Sequence, residues 1–208
     1  MGAGELAAVA EEFPLLAEYV ELLHTTGKAW GLVGPNEDRP RLWERHVLNS
    51  LALEPLLPQA EIIVDVGSGA GLPGIPLAIV RADLQVTLLE PKQRSVDFLE
   101  QTAAQFKLSN VNVVRARAEE HSSRYSVVAS RAVAPLSKLL HMCFPLLAPG
   151  GRLLAMKGKS VYEEVEAAAS TLAKLNATAQ VHELAIPYLD ASTWCVEVSL
   201  GACHTPSG

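Results

Sequence analysis

The run Val64-Asp65-Val66-Gly67-Ser68-Gly69-Ala70-Gly71-Leu72-Pro73-Gly74 places three glycines at alternate positions just after an apolar stretch that carries one acid. Without Cβ atoms, such glycines adopt positive φ and let a ligand approach the backbone closely. Two acids follow at telling places. Glu90 ends the next apolar run, where a carboxylate can accept from both hydroxyls of a ribose. Ala118-Glu119 follows the one after, where a backbone N–H and a side chain can read the edge of an adenine. These residues describe a nucleoside-shaped ligand. Gly69, Gly71 and Gly74 also satisfy the G-x-G-x-x-G dinucleotide pattern, with Glu90 about 20 residues on as that pattern requires. The turn alone therefore leaves two ligands open. Asp65 stands two residues before the first glycine, where it can orient the turn and the amino-acid end of S-adenosylmethionine. That favours the methyl donor over a nicotinamide.

The residues that could serve a methyl acceptor lie further on. A pyrimidine carbon would need a cysteine nucleophile after the fourth strand. The local sequence is instead Ser130-Arg131-Ala132-Val133-Ala134-Pro135, and an Asn/Asp-Pro-Pro-aromatic motif for exocyclic amines is absent too. A ring nitrogen such as guanine N7 already carries a free lone pair and loses no proton, so positioning and electrostatics can carry its methylation. Arg131 and Lys157 each end an apolar run and should point into the cleft as the catalytic pair. A guanidinium stacks on a base or holds phosphate bidentately, and Lys157-Gly158-Lys159 offers point charges to phosphate.

The elements that must position these groups alternate. Apolar runs at 62–66, 86–90, 111–114, 125–130 and 152–157 read as strands, and segments 73–81, 95–108, 136–147 and 160–175 as helices. Pro149-Gly150-Gly151 reads as a turn. This is α/β spacing, a doubly wound, Rossmann-like and mostly parallel sheet. Strands 181–186 and 194–200 are too close for a crossover helix and should pair as an antiparallel hairpin. That terminal antiparallel strand is the arrangement of a class I methyltransferase sheet. Before the sheet, residues 5–24 form an amphipathic helix, or two broken near Pro14, with Leu6 in the apolar stripe. Residues 27–40 read as a loop and 41–57 as a second helical stretch. The expected division is an N-terminal helical extension over 1–60, a methyltransferase domain over 61–201 and a tail over 202–208.

Composition limits the alternatives. At 49% hydrophobic and 19% charged, the 208 residues suit one globular domain. No apolar run reaches the roughly 18 residues of a membrane span, and the acidic start lacks a signal peptide's basic region, so a cytoplasmic protein is expected. Cys143, Cys195 and Cys203 are odd in number and far apart, which argues against a disulfide frame or a zinc site; no metal is expected. The net charge of −6 conceals a segregation: residues 107–159 hold nine Lys/Arg against two Asp/Glu. Such a segment suits a local phosphate-binding face, if linear neighbours are also neighbours in space.

Four stretches together resemble one family, the bacterial small-subunit ribosomal RNA methyltransferase G, also called glucose-inhibited division protein B. They are Arg45-His46-Val47-Leu48-Asn49-Ser50, Asp65 through the glycine turn to Pro73-Gly74-Ile75-Pro76-Leu77-Ala78, Ser130-Arg131-Ala132 and Met156-Lys157-Gly158. The resemblance spans about residues 15–200. It implies methylation of N7 of a guanine in 16S ribosomal RNA near the decoding region; 16S RNA or the small subunit is the expected partner, and a monomer is expected. It also implies that Gly67, Leu72, Ala118, Glu119 and Arg131 contact the donor, that Glu90 takes its ribose, and that Arg45, His46, Arg131 and Lys157 face RNA. His46 is equally readable as a core or capping histidine. The family usually has Asp at the place of Asn49 and Asn-Leu-Thr where this chain has Gly31-Leu32-Val33-Gly34. Two other readings stand beside this one: a methyltransferase acting on another RNA, a protein or a small molecule, and a non-catalytic RNA-binding assembly factor on the same fold.

Overall fold

The computed structural model describes residues 3–200, with side chains from residue 8. The expected tail at 202–208, Cys203 and the side chains of Glu5 and Leu6 therefore lie outside the described residues. Seven strands form one sheet in the order β3-β2-β1-β4-β5-β7-β6. The strands are β1 (Ile62–Val66), β2 (Gln85–Leu89), β3 (Val111–Val114), β4 (Tyr125–Arg131), β5 (Leu147–Lys157), β6 (Ala177–Ala185) and β7 (Ser192–Leu200). The first five run parallel. The last strand of the chain, β7, is antiparallel to both β5 and β6, so it lies between them rather than at the edge. The expected hairpin is β6–β7.

The chain winds from β1 to β3 in one direction, then returns to pair β4 against the other side of β1. At that switch the connections leave the sheet on opposite faces, and a crevice opens beyond the carboxyl ends of β1 and β4. The glycine turn follows β1, and Arg131 is the last residue of β4. The topology thus brings together residues more than 60 positions apart in sequence.

Successive residues of each inner strand face opposite sides. Ile63, Leu88, Val127 and Leu154 join one core, Val64, Leu89, Val128 and Leu153 the other. Helices α5 (Gly74–Val80) and α6 (Gln93–Gln105) cover the first face, and α7 (Leu136–Cys143) and α8 (Val161–Lys174) the second. The first face is completed by the N-terminal helices: Leu16, Tyr19 and Leu23 are fully buried in the same core as Ile63 and Ile75.

Helix α1 (Ala3–Glu12) does break from α2 (Pro14–Leu22) at the expected proline. Two local expectations change. The loop begins at Trp30 rather than Gly27, because α2 runs on through a π-helical segment, Leu23–Gly27, to Ala29. The second helical stretch begins at Arg39: Asp38 caps it by accepting from the Arg41 N–H at 3.0 Å, and Pro40 sits in the first turn, where no donor is needed. This stretch runs as α3 (Arg39–Arg41), a π-helical segment Leu42–Leu48 and α4 (Asn49–Leu51), with Pro55 in a separate 3₁₀ turn, Glu54–Leu56. The expected turn at Pro149–Gly151 is a bulge inside β5, where the register passes from Tyr125–Leu147 to Val127–Arg152.

Candidate active site

The glycine turn is held from three sides. Gly67 and Gly69 have φ of +71° and +56°, conformations that side chains resist. The Glu90 carboxylate accepts from the Gly69 N–H and the Lys92 N–H, each at 3.0 Å, so it arrives beside the turn already oriented. Asp65 is fully buried, and its Oδ2 accepts from the Gly74 N–H at 3.0 Å. Burial pushes its carboxyl up to about 7, against the pull of the Gly74 N–H and Arg131. From the N-terminal helices, the Tyr19 hydroxyl donates to the Ala70 carbonyl at 2.6 Å. A side chain on Gly74 would meet Leu88 at 2.3 Å, so this glycine serves close helix–strand packing.

Beyond this turn lies a cavity of about 630 Å³. Gly67, Gly69, Glu90, Ala118 and Glu119 line it, with Trp30 and Leu32 closing one side. Trp30 is fixed there by its edge-on contact with Phe98 and by Arg94, which donates to its carbonyl at 3.0 Å. The cavity fits a nucleoside: it has a bare backbone at Gly69, where an added Cβ would meet nothing nearer than 3.9 Å, a fixed carboxylate and apolar walls at Val66, Leu89 and Met142. Asp65, Gly71 and Leu72 do not line it. Asp65 works through Gly74, while the Gly71 and Leu72 N–H groups close the turn onto the Ser68 carbonyl at 2.7 and 3.1 Å.

A second cavity of about 660 Å³ lies alongside, and the two share Ala132, Val133 and Ala134. Ala132 has φ +56°, so the chain turns sharply as it leaves β4. Val133 packs over the turn; a Cβ on Gly67 would come within 2.7 Å of its Cγ2. Arg45, His46, Arg131 and Lys157 all line this second cavity, and Arg131 does not line the first. Arg131, expected to contact the donor, thus lines the second cavity and not the first. Its guanidinium donates to the Arg45 carbonyl and to His46 Nδ1, both at 3.1 Å. Burial lowers the His46 pKa and the neighbouring Arg131 charge lowers it further, against the pull of the Glu37 carboxylate beside it. Neutral His46 then carries its proton on Nε2, because Nδ1 accepts from a guanidinium that cannot deprotonate.

Lys157 departs from expectation. Its side chain is 8% exposed, and Nζ donates to Glu164 Oε2 at 2.7 Å and to the Ala134 carbonyl at 2.8 Å. Glu164 Oε2 also accepts from the Leu136 N–H at 3.1 Å. The ammonium is committed to a clasp on the wall between the cavities and is not a free charge for phosphate. The basic segment is dispersed for similar reasons: Arg124 and Arg152 donate to the carbonyls of Leu147 and Leu56, away from the crevice. Exposed cations at the crevice are Arg45, whose side chain is 68% accessible, with Lys92, Arg94, Arg117 and Lys138 around the first cavity. Among the described residues no cluster of three or more His, Cys, Asp or Glu could hold a metal ion, and no helix is long and apolar enough to cross a membrane.

A switch-point nucleoside cavity, a carboxylate after β2 and an antiparallel β7 between β5 and β6 define an S-adenosylmethionine-dependent methyltransferase. Solved structures share the fold. The ribosomal protein L11 methylase of Lactobacillus delbrueckii subsp. bulgaricus matches with a TM-score of 0.56 at 16% identity, over 74% of this chain and 76% of its own. The M. jannaschii protein TYW2, in complex with AdoMet, matches at 0.56 and 20%, over 73% and 71%. More specifically, the chain belongs to the family described as rRNA small subunit methyltransferase G, whose model matches residues 12–190. Relatives named ribosomal RNA small subunit methyltransferase G include that of Thermobifida fusca, 50% identical over 79% of this chain and 70% of its own length. That of Streptomyces avermitilis is 44% identical over 95% and 84%.

The site contains residues that sequence reasoning passed over. Tyr19 falls in the apolar stripe of the first helical stretch, Trp30 in the expected loop and Glu164 in the expected helix over 160–175, and none of them lies in a recognisable motif. Glu37, two residues after Pro35, carried no signal beyond its charge.

Proposed function

We propose that the protein methylates N7 of a guanine in 16S ribosomal RNA near the decoding region, acting as a monomer in the cytoplasm on naked RNA or the small subunit. The observation that supports this best is the shared wall: a nucleoside cavity and a cation-lined cavity meet at Ala132-Val133-Ala134. Gly67, Gly69, Ala118 and Glu119 would hold S-adenosylmethionine in the first cavity, with Glu90 on its ribose. Bound there, the donor supplies an electrophilic methyl group. Asp65, Gly71 and Leu72 keep the turn in shape from behind. In the second cavity Arg131, His46 and the apolar wall orient the acceptor base, while exposed Arg45 meets phosphate. His46 has its lone pair occupied by Arg131, and Glu164 is held by Lys157 and Leu136. This suits a ring nitrogen that needs no proton removed. Holding donor and acceptor in contact supplies several kcal/mol of the barrier reduction.

Incubation with labelled S-adenosylmethionine and small subunits or 16S RNA should label one guanine, and mapping should place the methyl on N7. Transfer to no ribosomal substrate would overturn the reading. A small-molecule acceptor would show activity insensitive to salt, whereas phosphate-dependent binding weakens steeply as salt rises.

A further inference from the structure

Two residues lining the second cavity each carry a buried polar atom without a hydrogen-bond partner, Glu37 Oε2 and His46 Nε2, on side chains that are themselves 18% and 21% exposed. The two side chains are neighbours. Glu37 Oε1 stands 3.7 Å from His46 Nε2 and 3.8 Å from an Arg45 nitrogen, too far in either case for a hydrogen bond. Leaving a buried donor or acceptor unpaired is costly, and here a donor and an acceptor with capacity for a further partner lie side by side.

The contacts form a chain from Arg131, next to the shared wall, through His46 to Glu37. Arg131 leaves β4 where the wall begins. His46 accepts from it on Nδ1 and so presents an N–H on Nε2. Glu37 lies beyond His46. Taken in that order, the chain offers donor, donor, acceptor. A purine placed with N7 at the wall presents its next groups in the same sequence. In guanine these are O6, an acceptor, and then N1–H and the 2-amino group, both donors. In adenine the first is an amine, which would face the His46 and Arg131 donors, and N1 is an acceptor, which would face the Glu37 carboxylate.

We propose that Glu37 is the residue that selects guanine, its carboxylate accepting from N1–H and the 2-amino group while His46 Nε2–H donates to O6. This rests on the reading of the second cavity as the acceptor site. It leaves N7 unpaired and facing the donor cavity. It also gives the N-terminal helical region a direct share in base recognition.

The test is a cycle between the side chain and the base. Small-subunit RNA is prepared with guanine or inosine at the methylated position; inosine keeps N1–H and O6 and lacks only the 2-amino group. The wild type should lose about tenfold or more in kcat/KM on inosine, the discrimination expected of a bidentate base contact. Glu37→Gln should lose a similar factor on guanine and show no further loss on inosine, with donor affinity by calorimetry unchanged. Glu37→Asp, which keeps the charge and draws it back, should fall between them and guards against a folding defect in the first variant. If either variant discriminates guanine from inosine as strongly as the wild type, Glu37 does not touch the base and the proposal fails. If the wild type transfers no methyl even to guanine RNA, the acceptor-site reading falls and takes this proposal with it.

Discussion

Replacing Lys157 by methionine separates a clasp from a phosphate contact. The substitution keeps the unbranched apolar stem of the side chain and removes the ammonium, leaving the Ala134 carbonyl without its donor and Glu164 with only the Leu136 N–H. Breaking a fully buried pair costs about 3–5 kcal/mol, and hydrogen bonds to charged groups contribute about 1.5–3. Lys157 is 8% exposed but Glu164 is 27% exposed, so water reaches the abandoned carboxylate. The lower values apply, and we expect a loss of about 2–3 kcal/mol. For a chain of this size each kcal/mol lowers the melting temperature by about 2–4 °C, so calorimetry should record a fall of roughly 4–12 °C. Filter binding of 16S RNA across a salt series supplies the second measurement. Removing one cation from a phosphate flattens the slope of log K against log salt by about 0.7–0.9. Lys157→Met should leave the slope unchanged, whereas Arg45→Ala should flatten it by about that amount. An unchanged melting temperature with a flattened slope for Lys157→Met would show that the ammonium faces RNA, and the clasp would be refuted.

Other perturbations reach the donor side. Gly67→Ala forces a Cβ within 2.7 Å of Val133 at φ +71°; calorimetry should show donor affinity down at least about tenfold, and an unchanged affinity would mean that Val133 yields freely. Tyr19→Phe removes the donor to the Ala70 carbonyl and should cost about 1–3 kcal/mol in chemical denaturation, while an isoenergetic variant would show that water replaces the hydroxyl. Burial raises Asp65 to about 7, so the folded chain keeps a proton that the unfolded chain releases near pH ~4. The native state then binds more protons between pH ~4 and ~7, and this residue's contribution to stability falls as pH rises through that window, by at most about 4 kcal/mol. Melts of the wild type and Asp65→Asn should diverge over that range, and parallel pH profiles would contradict the shift.

The parallel strands could be read because each is a short apolar run bounded by turn residues, and because βα alternation leaves few topologies. The glycine turn could be read for the same local reason. What escaped depended on contacts across the chain. Nothing near Arg131 indicates that its guanidinium meets His46, 85 positions earlier. Lys157 ends its strand beside the second cavity, but its partner Glu164 lies in the first turn of α8, where an acid is expected on helix-dipole grounds alone. The π-helical segment Leu42–Leu48 alters the phase of a pattern that otherwise reads as an ordinary helix, and it carries both Arg45 and His46. The nine cations of the basic segment are neighbours along the chain, whereas the fold sends two of them to carbonyls remote from the crevice.

The N-terminal helices close one face of the sheet with Leu16, Tyr19 and Leu23, and the same region supplies Glu37, Arg45 and His46 to the second cavity. On the proposed reading of that cavity, stability and acceptor choice are written on the same helices. A new acceptor could not be acquired by exchanging this region as a module, because removing it would strip the sheet of its cover. Change in specificity is confined to small substitutions in the cavity-facing residues that leave the apolar stripe untouched, which gives a route for drift among related bases and a barrier to wholesale replacement.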